Sequence, residues 1–450
     1  MSKSAISASR FKTINIQPLD QDKNRIDLTS SILSVSYFEN ILEPAITMQV
    51  VVASSSSLLN LIPIRGGEKV NFEIEVGEDE FTLLEESAMY VYMVSGVDAT
   101  RMRETFTLHL ASEEYFRNET QRCYKKYEKE TISTHVKDIL TDKVNGLGTD
   151  KEIFVEDTLT KYAFTANGRK PFGVMQWLGP KSVSLAPGEK GNSGKKENDS
   201  NFNAKAKGIA GFLFFENKDG FHYKSIDSLV SKTEIGMHSS NSKDILEFFY
   251  AGQMPEMEQT ASDIMSWNMD KNMDLRKALR IGMYSNLSYY FDSNTHQLTL
   301  FKYSLKDELD RDTAPKLGGA GEIIVGSAFA DSPSRVLFKI SDHGTLEKSA
   351  GLQDSGSDDA DMAKSFARSN LLFTQALNIL VPLNINLKVG DVIYCEFKAI
   401  EGGKANFADP EMSGNYLIRE LRHSFVPNQN TTSLKLMRDS YGLYGGDEDQ

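Results

Sequence analysis

Two stretches of this chain, more than three hundred positions apart, repeat in the same order. Gly67-Glu68-Lys69-Val70-Asn71-Phe72-Glu73-Ile74 aligns with Gly390-Asp391-Val392-Ile393-Tyr394-Cys395-Glu396-Phe397, and Thr105-Phe106-Thr107-Leu108-His109-Leu110 aligns with Thr431-Thr432-Ser433-Leu434-Lys435-Leu436. The spacing agrees too, with 41 positions from Gly67 to Leu108 and 44 from Gly390 to Leu434. Any two strands share alternation, so the weight rests on the matched order and spacing of both echoes. Together they predict one small all-β unit used twice. A unit used twice per chain doubles whatever symmetry an oligomer presents, which is what a part joining rings of unequal symmetry needs.

At 450 residues the chain divides into about two to four domains. Hydrophobic residues make up 40% and charged residues 25%, the balance of a folded protein with cores to fill. No apolar run reaches the roughly 18 residues of a membrane span, so no stable membrane insertion is expected. The first ten residues, Met1 to Arg10, lack the apolar centre of a signal peptide, which predicts folding in a cytoplasm. Cys123 and Cys395 lie far apart without metal-ligand spacing and read as free buried thiols. A net charge of −13 argues against a general nucleic-acid binder, yet suits a conduit that DNA passes without sticking.

Residues 11–112 read as strands and turns. Ser34–Glu39 and Ile46–Val52 flank Pro44, and Val70, Phe72, Ile74 and Val76 alternate with Asn71, Glu73 and Glu75 as in a strand with one face buried. Tyr90–Val94 and Thr105–Leu110 close the unit. From Ser112 the period changes. Residues 113–145 are expected to be mainly helical, and Pro171 opens a short helix through Trp177 to Gly179. A polar loop, 186–208, precedes a hairpin of Phe212–Phe215 and Phe221–Tyr223 about Asp219-Gly220. Further on come a short helix at Leu275–Ile281, a hairpin pairing Tyr284–Phe291 with Gln297–Tyr303, a weakly patterned linker over 311–356 with one strand at Val336–Ile340, and a helix capped by Ser357. Four strands follow: Leu377–Val381, Val392–Phe397, Tyr416–Leu421 and Leu434–Met437.

Catalytic signals are scarce. Gly194-Lys195-Lys196 lacks the glycine and the Ser or Thr that a phosphate loop requires, because Glu189 and Lys196 stand in those places. The histidines at 109, 135, 222, 238, 296, 343 and 423 never fall four apart on a helix or beside a cysteine pair. No Gly-x-Ser-x-Gly elbow occurs. Among 63 acidic residues some pair meets any loose criterion for a glycosidase, so solvated surface charge is the better reading, and Trp177 and Trp267 read as core. The expectation is no catalytic residues, no cofactor and no metal.

The pieces in order resemble a family. Leu42-Glu43-Pro44-Ala45-Ile46 with Leu58 through Val70 resembles the opening barrel of baseplate hub proteins from long-tailed, contractile-tailed phages. Arg169 through Leu178 with Gly211 through Phe221 resembles their middle domain, and Leu387 through Ile393 with Ser413 through Ile418, then His423, Leu434 and Arg438-Asp439, resembles their second barrel. The resemblance covers nearly the whole chain; it departs at 186–208 and 311–356.

The implied fold class is α+β, mainly β: two tube-type antiparallel β-barrels with an inserted α+β middle domain. The expected division is 1–112 for the first barrel, 113–245 for the middle domain, 246–310 for the first part of the second barrel, 311–375 for a linker and helix, 376–442 for the rest of that barrel and 443–450 for an acidic tail. The implied function is a structural homotrimer at the centre of a virion baseplate, assembled in the host cytoplasm. It joins a threefold central spike protein to the sixfold tail tube protein, touches wedge and tape-measure proteins, and passes DNA as cargo. Glu73 and Glu75 are candidates to face that passage. Alternatives are the hub of a related contractile secretion or bacteriocin-like apparatus and a peptidoglycan-degrading tail enzyme.

Overall fold

The computed structural model describes residues 9–19, 25–55, 58–62, 64–77, 79–83, 87–100, 103–185, 207–231, 245–250, 260–271, 274–292, 296–305, 316–318, 332–341, 358–398, 408–409, 411–427 and 429–440. The acidic tail, the cap at Ser357, most of 186–208 and most of 311–356 lie outside the described residues.

The first unit comprises β1 (Ser9–Gln17), β2 (Ile26–Asp27), β3 (Ile32–Asn40), β4 (Thr47–Ser54), helix α1 (Leu58–Leu61), β5 (Lys69–Val76), β6 (Asp79–Leu83), β7 (Met89–Ala99) and β8 (Glu104–Ser112). Its strands run in the order β3-β4-β8-β7-β5-β1, every neighbour antiparallel. The period of two in β5 does what it predicts, since Val70, Phe72, Ile74 and Val76 all face the core.

The middle region comprises α2 (Glu113–Thr120), β9 (Lys126–Thr131), α3 (Ile132–Thr141), β10 (Ile153–Val155), β11 (Lys161–Thr165), α4 (Pro171–Leu178), β12 (Val183–Leu185), β13 (Lys207–Ala210), β14 (Phe212–Asn217), β15 (Gly220–Ser225) and α5 (Ile226–Val230). The expected helix over 113–145 is interrupted by β9. Lys126-Tyr127-Glu128-Lys129-Glu130-Thr131 has one apolar side chain and therefore no helical stripe to bury. As a strand it buries Tyr127 alone, stacked on Phe164 with centroids 4.6 Å apart. This region has its own core, in which Val136, Ile139 and Leu140 of α3 meet Val174, Met175 and Leu178 of α4 and the hairpin's Phe214 and Phe221.

The second unit comprises β16 (Leu246–Tyr250), β17 (Ser266–Lys271), α6 (Leu275–Ile281), β18 (Ser285–Asp292), β19 (Leu298–Ser304), β20 (Arg335–Ser341), α7 (Asp358–Leu371), β21 (Gln375–Pro382), β22 (Val392–Phe397), β23 (Gly414–Phe425) and β24 (Thr431–Arg438). Its order, β17-β21-β24-β23-β22-β16, repeats the first unit strand for strand. Two differences stand out. β16 runs parallel to β22 where β1 is antiparallel to β5, and the turn joining β3 to β4 is replaced by an insertion carrying α6, the sheet β19-β18-β20 and α7.

The repeat extends to single hydrogen bonds. Gly67 N–H donates to Val91 O at 2.7 Å and Val91 N–H to Glu68 O at 3.0 Å, while Gly390 N–H donates to Ile418 O at 3.1 Å and Ile418 N–H to Asp391 O at 2.9 Å. One residue later both receiving strands bulge, at Tyr92 in β7 and Arg419 in β23. Both glycines hold positive φ, 95° and 86°. The sequence echo is therefore a duplicated geometry. The two barrels share a single core and a 14-stranded sheet, because residues 420–425 of β23 pair with β3.

The duplicated glycines yield a comparison. A Cβ on Gly67 meets only Leu19, at 3.6 Å, so Gly67→Ala should cost the positive-φ strain of roughly 1–2 kcal/mol. On Gly390 it meets Phe215 Cζ at 2.9 Å, so Gly390→Ala should lose more. Urea melts of the two variants check the order.

Candidate assembly site

Three parts of the chain converge on one buried carboxylate. Glu39, near the end of β3, accepts from the Tyr37 hydroxyl at 2.7 Å, from Lys218 N–H in the β14–β15 turn at 2.7 Å, and from Val389 N–H of the second barrel at 2.9 Å. Burial pushes its carboxyl up to about 7, although those three donors favour the charged form. Lys388 and Asp219 pair at 2.7 Å beside it. The hairpin tip is thus wedged where the two barrels meet.

A second buried acid fastens the same hairpin. Glu216 accepts from Ile46 N–H at 2.9 Å and Ser112 Oγ at 2.8 Å, and pairs with Lys151 at 2.6 Å. Lys151 also reaches Glu114 at 2.8 Å. Burial opposes the charge on Lys151, but the two carboxylates outweigh it and hold its pKa above the ordinary value. Burial raises Glu216 despite Lys151. Lys151, Glu152 and Glu216 with the turn residues 217–220 line a cleft of about 410 Å³.

The seam between the barrels is antiparallel, with Arg422 opposite Phe38, His423 opposite Tyr37, Ser424 opposite Ser36 and Phe425 opposite Val35. His423 stacks on Tyr37 at 6.0 Å, and the Arg422 guanidinium lies 5.5 Å over the Phe38 ring. Burial, then Lys218, brings the His423 imidazole down to about 3, so it is neutral.

The equivalent edges elsewhere are open. Among the described residues β17 has β21 as its sole strand neighbour, and β7 beyond Val91 has β8 on one side only. Tyr92, Met93, Val97 and Trp267 are exposed there, Val97 at 56%. Trp267 is therefore not the core residue expected; it lies 36% exposed against Phe397 of the second barrel. Trp177 is half-buried against the middle core, under Arg169 and Lys181. The sheet β19-β18-β20 turns Val336, Phe338 and Ile340, each at least 63% exposed, to solvent beside Leu298 and Leu300.

Glu73 and Glu75 lie on β5 between β1 and β6, outside the eight-strand run β17-β21-β24-β23-β3-β4-β8-β7. On the face of that run opposite the core stand Ser36, Gln49, Thr107, His109, Asn378, Ser433 and Lys435, with Lys435 paired to Glu420 at 2.7 Å. Sequence reading missed this face because its polar residues look like ordinary wet positions. Among the described residues no cluster of His, Cys, Asp and Glu could hold a metal ion; Cys123 and Cys395 are buried and free.

No family model matches the chain. In sequence it is similar to a protein of Vibrio phage KVP40 named "Probable baseplate hub protein gp334", 32% identical over 76 residues that span 17% of this chain and 18% of that one. In structure it is similar to a tail protein from Neisseria meningitidis MC58, with TM-score 0.51, 10% identity and coverage of 95% and 96% of the two chains. It is also similar to a tail protein of prophage MuSo2 from Shewanella oneidensis, with TM-score 0.50, 8% identity and coverage of 96% and 100%. Over those 76 residues the relative agrees with the resemblance to baseplate hub proteins read from the sequence, and the fold is that of the two tail proteins.

The Glu39 seat gives a signed pH prediction. A carboxyl raised from 4.5 to about 7 by folding contributes stability that is present below pH 4.5 and lost as pH rises through 7. His423, lowered from 6.5 to about 3, acts oppositely, losing its contribution as pH falls below 6.5. Comparison with Glu39→Gln isolates the first group. The wild type's advantage over that variant should shrink by roughly 3 kcal/mol between pH 4.5 and 7.5. Denaturant melts across that range check it.

Proposed function

We propose that the chain is the central baseplate hub of a phage tail, a homotrimer whose six barrels join a threefold spike to a sixfold tail tube. The observation that carries this reading is the duplication: two barrels of matching strand order, hydrogen bonds and bulges, already joined edge to edge within one chain. Three such chains present six similar units, whereas two or four present four or eight. The division into a first barrel over 1–112, a middle domain over 113–245 and a second barrel from 246 to 442 belongs to the same proposal, as do wedge and tape-measure contacts and a place in the virion. Its role is structural; clearing of peptidoglycan suspensions by the purified protein would argue for the enzymatic alternative.

In this reading the passage is lined by the face of the eight-strand run opposite the core. On that face Lys435 is paired with Glu420, and Arg422 lies over the Phe38 ring with a hydrogen bond to Ser36 Oγ, so it offers phosphates few free cations.

Two measurements test the proposal. Light scattering of the protein with its spike should return three copies of the chain, and a stable dimer or tetramer would overturn it. Duplex DNA should not be retained at physiological salt by the wild type, whereas Gln49→Lys, Thr107→Lys and Ser433→Lys together should bind it with affinity falling steeply as salt rises. Tight duplex binding by the wild type would overturn the conduit.

A further inference from the structure

We infer that copies of this chain join by adding β17 of one to the open half of β7 of the next, in one defined register. The inference deepens the proposed hub reading and rests on it for closure at three copies. Its warrant is the seam each chain already contains.

The register follows from residue equivalence. Opposite β8, Ser95 and Asp98 of β7 face Thr107 and Thr105; opposite β24, Arg422 and Ser424 of β23 face Ser433 and Thr431, which the sequence echo places in the same positions. Likewise Trp267, Asn268 and Lys271 of β17 face Ile379, Asn378 and Ala376, as Val35, Ser36 and Phe38 of β3 face Val50, Gln49 and Thr47. Within the chain Arg422 opposes Phe38, Ser424 opposes Ser36 and Phe425 opposes Val35. Substituting equivalents sets Ser95 opposite Lys271, Asp98 opposite Asn268 and Ala99 opposite Trp267 of the neighbouring copy.

Two independent features fit this pairing and no shifted one. β7 carries an extra residue between Ser95 and Asp98, and β17 carries one between Met269 and Lys271. A lone bulge would break the new ladder, but these two face each other and cancel, leaving Val97 opposite Met269. The faces also agree. Trp267 and Met269 pack toward the second barrel's core, and Val97 and Ala99, exposed in one chain, would cover them, while Asp98 and Asn268 share the polar side. A slip of one residue would set apolar side chains against polar ones. The contact is head-to-tail, so it closes into a ring or runs on as a filament.

The test uses the full chain with Asp98→Cys and Asn268→Cys, both at exposed positions, oxidised after assembly and run on a non-reducing gel. Directly opposed residues in an antiparallel pair lie within disulfide reach, and positions two apart do not. Linked species of two and three chains are expected, with none beyond three, and cross-linking should fall to background in Asp98→Cys with Ser266→Cys. Preferential linking of the shifted pair overturns the register. A trimer by light scattering that gives no Asp98–Asn268 link overturns this pairing while leaving the threefold reading intact. Linked ladders that grow past three uphold the pairing and overturn the threefold closure, and a monomer that never links counts against both.

Discussion

The architecture depends on a carboxylate that is expensive to bury and is buried because it has work on three sides. Glu39 sits in the interior with both oxygens occupied by donors from β3, from the hairpin turn and from the loop before β22. Leaving any one of those buried donors unmet costs about 1–3 kcal/mol, so the three segments hold one another in place. A hydrophobic contact could supply similar energy but not the same specificity, because it tolerates sliding. The three hydrogen bonds do not. The neighbouring Glu216–Lys151–Glu114 cluster adds the start of β4 and the end of β8 to the same arrangement. The barrels therefore meet at a fixed relation, and in the proposed trimer that relation would decide whether a ring can close.

An unpaired strand edge is a hazard unless it is covered. This chain covers one such edge itself, β3, with the far half of β23, and the long strand manages two neighbours because the bulge at Arg419 separates its β22-paired half from its β3-paired half. The same bulge at Tyr92 gives β7 the same division, with its second half paired on one side only among the described residues. The device that makes the internal seam is thus present twice, and β17 has the edge shape that the open half of β7 would take, which is the ground for the inferred pairing between copies.

Most strands were legible from alternation, and the duplication was legible from Gly67 and Gly390, whose positive φ only glycine holds without strain. What alternation could not show was pairing. Nothing local in Glu39 marks it as the meeting point of three segments, since its partners outside its own strand lie 179 and 350 positions away. The strand at Lys126–Thr131 was hidden for the opposite reason. It sits between two true helices, and its charged residues favour helix intrinsically, so tertiary pairing with β11 overrode propensity. Glu73 and Glu75 illustrate a third limit: the period of two places them opposite the core but is silent about which of several wet faces they occupy.

The differences between the units matter as much as their likeness. If both barrels were identical throughout, a ring of six would be sixfold on every face and would offer a threefold partner two equivalent seats with nothing to choose between them. Here the strands that run edge to edge are equivalent, while the parts that project from them are not. The first unit joins β3 to β4 by a short turn; the second inserts α6, a three-stranded sheet and α7 at the same place, and anchors α7 through Arg368, which bonds Asp439 at 2.7 Å and Asp227 at 3.3 Å in the interior. Those two acids lie just past the last strand and in α5, so α7 is tied to the body rather than free to swing. In the proposed trimer, rigid asymmetry outside an equivalent run of strands would let one chain present sixfold likeness on one surface and threefold difference on another.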